Sequence, residues 1–239
     1  MVDIDKLRKK IDLIDNDILK LLNKRSVIAT KIGKIKKKHG KSKNYFRPER
    51  QINILRRLIK TKNNTLETSF IINLWKTIFF FQTKLQGKIK YIVPKSFNNT
   101  DISLIIDYLG QNVKFEFKNN IKTACNDTLK NTNSLLFLPY PGENKNCQWW
   151  TDVKINSLFV IASVPIIFEK NQKPKLVILS QNKPVLKNNN NFLYVANSHI
   201  KLKKAKLISK VKKKYLFETK EALSNNNFSL LGAYSNIQK

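Results

Sequence analysis

Two basic side chains lie on the apolar face of the first predicted helix, and their position suggests chemistry. From about Asp3 to Lys38, isoleucine and leucine recur at alternating spacings of three and four, a heptad pattern that forms one stripe. Arg25 falls in the middle of this stripe, and Lys36 lies about 20° away, roughly three turns on. The apolar positions of the stripe are Ile4, Leu7, Ile11, Ile14, Ile18, Leu21, Ile28, Ile32 and Ile35.

Burying a cation on the apolar face of a helix destabilises the folded state by several kcal/mol unless an anion pairs with it. No carboxylate stands three or four residues from Arg25, where a helix would supply one. The four residues at those spacings are Leu21, Leu22, Ile28 and Ala29. Two interpretations stay open: a snorkelling arginine paired with a carboxylate from elsewhere in the chain, or a pocket for a small anion between helices.

Two further helices are predicted to position this face. The second starts near Arg47-Pro48-Glu49 and runs to about Lys60, and the third runs from about Glu67 to Gln86. Gly33 inside the first helix costs about 1 kcal/mol, which close helix approach or a nearby ligand would explain. The first helix would be about 50 Å long, too long for a compact three-helix monomer, so we expect a dimer formed through its stripe.

The first 87 residues carry three segments that together resemble the all-helical chorismate mutase family. They are LRKKIDLIDNDILKLLNKRSVIATKIGKIKKK from Leu7, FRPERQINILRRL from Phe46, and TKLQG from Thr83. The resemblance implies a helical domain over residues 1–87 that forms an interlocked homodimer with shared active sites. It also implies the rearrangement of chorismate to prephenate in phenylalanine and tyrosine biosynthesis.

The resemblance assigns roles to individual residues. Arg25 and Arg8 would bind the two carboxylates of chorismate, with Arg8 supplied by the second protomer. The seventeen residues between them amount to a rotation of about 100°, so one pocket cannot easily receive both from one helix. Lys36 and Gln86 would donate to the ether oxygen, and Arg50 would support the carboxylate end. The reaction needs no cofactor and no acid–base pair.

Three positions depart from the family pattern. Gln51 stands where many members have Glu, Arg47 where some have Asp, and Gln82 where some have Ser. Gln51 can still accept a hydrogen bond from the substrate hydroxyl, but without charge assistance. Gln82 is expected to bind substrate, whereas Arg47 is interpreted as a solvated residue at the start of the helix.

After Gly87 the pattern changes, and residues 88–239 are predicted to form an α/β domain. Strand, helix, strand, helix, strand is expected up to Leu138, followed by further strands and a basic helix over Lys201–Lys213. The overall class is therefore α plus α/β. The order is similar to the prephenate dehydratase half of bifunctional enzymes, but the Thr-Arg-Asp sequence is absent. We expect a degenerate, regulatory or structural relative that is dispensable for chemistry. Trp149 and Trp150 are expected in its core or at an interface, with a ligand cleft as the alternative.

Composition bounds the alternatives. The formal charge of +30 is shared about equally by residues 1–87 and 88–239, so no single arm holds the excess. Specific nucleic-acid binding is therefore not expected, although a basic nucleic-acid-binding protein using Lys201–Lys214 stays an alternative from another class. The two cysteines and two isolated histidines are too few for a metal site. We expect neither a signal peptide nor a membrane span, and therefore a cytoplasmic protein. An isochorismate pyruvate lyase, with the same scaffold, is the enzymatic alternative.

Overall fold

The computed structural model describes residues 3–38, 44–61, 65–152, 157–168, 172–187, 190–198, 204–223 and 227–238. The three N-terminal helices occur where the sequence predicts them. They are α1 (Ile4–Lys38), α2 (Pro48–Thr61) and α3 (Thr68–Gln86). The predicted loop after α1 and the turn after α2 fall largely outside the described residues.

Gly33 marks the point where α1 and α3 come closest. A Cβ atom built on Gly33 would lie 2.5 Å from the carbonyl oxygen of Gln86, so any larger residue would push the helices apart. Close helix approach therefore accounts for a glycine inside α1. It also brings the last turn of α1 beside the last turn of α3, which is where Lys36 and Gln86 lie.

The apolar stripe of α1 is largely uncovered in the single chain. All nine stripe residues are exposed, from 39% for Ile32 to 64% for Ile4. Within α1 only Ala29 and Gly33 are buried among the described residues. Leaving this much apolar surface in water is unfavourable, and the exposed stripe agrees with the predicted need for a partner.

The C-terminal half is a mixed sheet with two helices, which confirms the predicted α plus α/β class. Each of the two helices starts with a capping box, at Asn98 and Asn120. The elements are β1 (Lys90–Pro94), α4 (Asn99–Leu109), β2 (Phe115–Lys118), α5 (Ile121–Leu129), β3 (Ser134–Pro139), a 3-10 helix (Lys145–Thr151), β4 (Phe159–Val164), β5 (Ile167–Phe168), β6 (Leu176–Ser180), β7 (Asn191–Ala196), β8 (Ala205–Val211), β9 (Lys214–Thr219), β10 (Ser229–Tyr234) and β11 (Ile237–Gln238).

Nine of the strands form one sheet, in the order β2-β1-β3-β6-β4-β10-β7-β9-β8. The first three pair in parallel through the βαβαβ unit that the sequence predicts. From β3 onward the pairing is antiparallel, except between β4 and β10. The short strands β5 and β11 pair separately.

The predicted basic helix over Lys201–Lys213 is wrong. Residues 201–203 lie outside the described residues, and the rest forms β8, which pairs antiparallel with β9 across a tight turn at Lys212 and Lys213. Lys212 has φ +53°, a left-handed conformation that suits a hairpin turn. The apolar residues of β8 have spacings that suit either a helix or a strand. Pairing with β9 favours the strand. The lysines of this edge strand carry charges that oppose its pairing with a strand of another molecule.

The helices and the sheet share one hydrophobic core. Ile52 and Leu55 of α2 are at most 3% exposed, and they belong to the same buried cluster as Val164 of β4 and Ile178 of β6. Trp149 and Trp150 are buried in a second cluster, as expected, with both indole N–H groups donating to backbone carbonyls. One face of α2 is therefore held by the sheet, which leaves its opposite face for the helical bundle. Within the described residues, no helix is both long and apolar enough to span a membrane.

Candidate functional site

A cavity of about 330 Å³ opens between the three N-terminal helices. It is lined by apolar residues of α1 and α2 and by a group of basic and amide side chains. Six of the seven predicted site residues are in that group. They are Arg25, Lys36, Arg50, Gln51, Gln82 and Gln86.

Lys36 is held at the inner end of the cavity by two hydrogen bonds. Its Nζ donates to Gln86 Oε1 at 2.9 Å and to the carbonyl oxygen of Asn44 at 2.8 Å. An ammonium group has three N–H donors, so one of them stays available to a ligand. Because Gln86 Oε1 accepts from Lys36, the amide N–H group of Gln86 points away from Lys36. This group donates to the carbonyl oxygen of Gln82 at 3.5 Å. Lys36 and Gln86 therefore each keep an N–H group that a ligand could use.

The pKa of Lys36 is lowered from its ordinary value. Burial is the largest cause, followed by repulsion from Arg47, while Glu49 opposes the shift and Arg50 adds to it. The ammonium group thus lies in a partly desolvated, cation-rich place. An anion in the cavity would relieve this cost and return the pKa toward its ordinary range.

Arg25 contributes a second cation without a carboxylate partner. Its guanidinium lies 5.8 Å from the centroid of the Phe79 ring, and burial, then repulsion from Arg50, lowers its pKa. Among the ion pairs of the described residues, none involves Arg25. Of the two interpretations left open by the sequence, the described residues therefore favour the anion pocket.

Gln82 is 5% exposed and has one satisfied and one unsatisfied end. Its Nε2 donates to Ser26 Oγ at 2.8 Å, whereas its buried Oε1 lacks a hydrogen-bond partner among the described residues. A buried acceptor left unpaired costs about 1–3 kcal/mol. A ligand that donates a hydrogen bond to this oxygen would recover that cost.

The first turns of α2 supply the outer wall. Arg50 and Gln51 both line the cavity, with Arg50 exposed and Gln51 half-buried. Arg47 is exposed, as expected, and pairs with the carboxylate of Glu49. Because Glu49 is engaged there, no free carboxylate from the described residues faces Arg25 or Lys36.

Arg8 is the one predicted site residue that the single chain leaves outside the cavity. It lies on the first turns of α1, fully solvated, and pairs with Asp5 at 3.2 Å. Its separation of seventeen residues from Arg25 corresponds to about 25 Å along one helix. The predicted supply of Arg8 by a partner protomer stays a prediction.

Tyr45 is a site residue that sequence reasoning missed. It is 6% exposed, lines the cavity, and places its ring 5.7 Å from Lys36 Nζ. A Cβ atom on Gly87 would lie 2.2 Å from the same ring, so Gly87 is needed to let Tyr45 in. Tyr45 precedes α2 in a stretch that reads as a loop, so no periodicity singles it out.

The distribution of arginine is a signal that could have been used. All six arginines lie within residues 8–57, and residues 58–239 carry lysine alone as their strong base. Arginine offers a planar fork that matches a carboxylate, which lysine cannot provide. Arg25, Arg47 and Arg50 line the cavity. Three of the six arginines therefore lie where they could bind the carboxylate of a ligand.

The arrangement suits a small molecule with carboxylates and a separate oxygen acceptor. Arg25 and Arg50 can bind carboxylates, while Lys36 and Gln86 each keep an N–H group for an oxygen acceptor. Among the described lining residues, none is a cysteine, serine or histidine nucleophile. The chemistry such a site supports is electrostatic stabilisation and restraint of a bound anion.

Comparison with known proteins agrees with this geometry. Residues 7–86 match the family model described as chorismate mutase type II. A bifunctional chorismate mutase/prephenate dehydratase of Aquifex aeolicus (strain VF5) is 32% identical over 102 residues. That alignment covers 40% of this chain and 28% of the relative, so this chain matches less than a third of that protein's length. The three N-terminal helices of this chain, within residues 7–86, are therefore similar to the chorismate mutase type II family.

Proposed function

We propose that this protein is a chorismate mutase, which rearranges chorismate to prephenate. The single observation that carries the proposal is the pairing of Lys36 Nζ with Gln86 Oε1 at 2.9 Å in a cavity that also holds the unpaired cation of Arg25. The match of residues 7–86 to the family model supports it independently.

The reaction is a Claisen rearrangement within one molecule: the ether C–O bond breaks while a C–C bond forms. No atom enters or leaves, so the protein must restrain the substrate and stabilise charge. Arg25, supported by Arg50, holds one carboxylate of the substrate, which helps to bring the two reacting carbons together. The free N–H of Lys36 and the amide of Gln86 donate to the ether oxygen as it gains negative charge.

A homodimer completes the site in this proposal. The exposed stripe of α1 supplies the surface for a second copy, and Arg8 of that copy would bind the second carboxylate. This explains why Arg8 carries a solvated ion pair in the single chain instead of facing the cavity.

Residues 88–239 are proposed to have no dehydratase activity, because the Thr-Arg-Asp sequence is absent from them. Prephenate would then be the product that leaves the protein, in the biosynthesis of phenylalanine and tyrosine.

An assay with product identification tests the proposal. The full-length protein is incubated separately with chorismate and with isochorismate, and substrate and products are separated chromatographically. We expect prephenate from chorismate and no reaction with isochorismate. Salicylate and pyruvate from isochorismate would establish the lyase instead. Phenylpyruvate from prephenate would show a dehydratase, and no turnover of either substrate would refute an enzymatic role.

A further inference from the structure

A second cavity of about 630 Å³ adjoins the candidate active site on its outer side. The two cavities share Arg25, Arg47, Arg50 and Ile54, so they adjoin each other. We call it the vestibule. It lies against the exposed face of α2, and one of its walls comes from the α/β half of the chain.

The vestibule is strongly cationic. Among the described residues that line it, five are basic and one is acidic. The basic residues are Arg25, Arg47, Arg50, Arg57 and Lys187, and the acidic residue is Glu49. The carboxylate of Glu49 pairs with Arg47. Arg50, Arg57 and Lys187 have no carboxylate partner among the described ion pairs. Like charges this concentrated repel one another and favour an anion between them.

Lys187 is the member that comes from the α/β half, and its backbone is fixed. Asn190, which is 4% exposed, donates its backbone N–H to the Lys187 carbonyl at 3.1 Å and its Nδ2 to the Val185 carbonyl at 2.9 Å. The Oδ1 of Asn190 accepts from the hydroxyl of Ser235. The position of Lys187 is thus set by buried contacts within the α/β half.

The residues that hold Lys187 are also tied to α2, because Ser235, which donates to Asn190, is followed by Asn236. Arg56 donates to the carbonyl oxygen of Asn236 at 2.8 Å, and Ile52 and Leu55 are buried against the sheet. The helix that carries Arg50 and Arg57 and the segment that carries Lys187 therefore hold a fixed relation. The cationic surface that they form is a built feature of the fold.

We propose that the vestibule is the entry route of the dicarboxylate substrate, and that Lys187 and Arg57 attract the substrate into it by their charge. This inference rests on the proposed function. The substrate must pass from water to the partly buried cations of the inner cavity, and a charged approach raises its local concentration. The α/β half then contributes to substrate capture by the mutase site, although it carries no residue of the inner cavity.

The test uses two variants of the full-length protein with matched controls. Lys187→Glu is compared with Lys206→Glu, which makes the same charge change on the edge strand β8, at the far end of the sheet. Arg57→Ala is compared with Lys60→Ala, which removes one charge from an exposed position of the same helix. Steady-state kinetics with chorismate are measured from low to high ionic strength, and equilibrium binding of prephenate is measured by titration calorimetry.

At low ionic strength, where the Debye length is about 30 Å, we expect Lys187→Glu to lower kcat/KM by about three- to tenfold, through KM. Arg57→Ala should lower it by about two- to fivefold, and prephenate should bind more weakly to both variants. The control variants should stay within about twofold of wild type. At about 0.5 M salt the differences should shrink below twofold, because the charges are screened.

Equal kcat/KM and equal prephenate binding for Lys187→Glu and Lys206→Glu at low salt would overturn the proposal. A loss confined to kcat, or one insensitive to salt, would do so as well. If Lys187→Glu fails to fold, Lys187→Ala replaces it, with half the charge change and a smaller loss expected. An inactive wild type would refute the proposed function alone, since prephenate binding still tests the vestibule.

Discussion

Single residues carry the chemistry, and Lys36 gives the clearest case. Its bond to Gln86 Oε1 fixes one donor, and the charge that it meets on the ether oxygen exists only in the transition state. We expect Lys36→Ala to lower kcat by about 10² or more with little change in KM, measured by chorismate loss. The matched control is Lys38→Ala, an exposed lysine of the same helix end.

The pH dependence of the same residue follows from its environment. Burial and nearby cations lower the pKa of Lys36 in the empty site, so kcat/KM of the wild type should fall with rising pH at a lower pH than an ordinary lysine would require. A bound anion returns this pKa toward its ordinary range, so kcat should fall only at a higher pH. The sign for stability is opposite, because losing the buried charge removes a cost to folding. A Lys36→Ala variant that lowered KM and kcat in equal proportion would contradict the assignment to the ether oxygen.

Gln51 tests the departure from the family pattern. It lines the cavity in place of the glutamate of many relatives, and it offers a neutral acceptor. We expect Gln51→Glu to raise kcat/KM by about two- to tenfold, because a carboxylate accepts a stronger hydrogen bond from the substrate hydroxyl than an amide oxygen does. Gln51→Ala is the matched control and should lower kcat/KM. No gain from glutamate would mean that Gln51 does not contact the hydroxyl.

At the scale of elements, α1 performs two tasks, since it lines the cavity and presents an exposed stripe. If each pocket takes Arg25 from one protomer and Arg8 from the other, mixing Arg8→Ala with Arg25→Ala chains restores one pocket per heterodimer. We expect activity to return, up to about half of wild type per heterodimer. The readout is turnover after mixing, with heterodimers quantified by native mass spectrometry. Confirmed heterodimers without activity would exclude a shared pocket.

The helices were predictable from the sequence because their apolar periodicity is long and is bounded by Pro48 and Gly87. The six cavity residues were predictable as well, since two lie on each of the three helices and the segments that carry them resemble a known family. Tyr45 was not, because a loop residue carries no period. Strand β9 agrees with the strand predicted near Tyr215–Glu218. Strand β8 was predicted as a helix, since a short basic segment takes its structure from the strand beside it.

At the scale of the whole molecule, the inner cavity is complete within the helices, but α2 depends on the sheet. A fragment ending at Gly87 would uncover Phe46, Ile52 and Leu55, which are at most 4% exposed in the full chain. Exposing each such side chain costs about 1.5–3 kcal/mol. We therefore expect a fragment of residues 1–87 to unfold at a markedly lower temperature than the full chain, as measured by circular dichroism.

The control for this comparison is activity, measured below the melting temperature of the fragment. Because the catalytic side chains are retained, turnover per folded fragment should stay within about tenfold of the full chain, with the larger loss in kcat/KM at low salt. A fragment as stable as the full chain would contradict the role of the shared core. A folded but inactive fragment would place catalytic residues beyond Gly87.

The central claim is that unpaired cations between the helices bind and rearrange chorismate. The most direct measurement is the rate of prephenate formation by the wild type beside Arg25→Ala, with folding of both checked by circular dichroism. Arg25 is partly buried without a carboxylate partner among the described residues, so its removal should not unfold the protein. The account predicts prephenate from the wild type and a rate at the uncatalysed background from the folded variant. Near-normal kcat/KM in Arg25→Ala would contradict it.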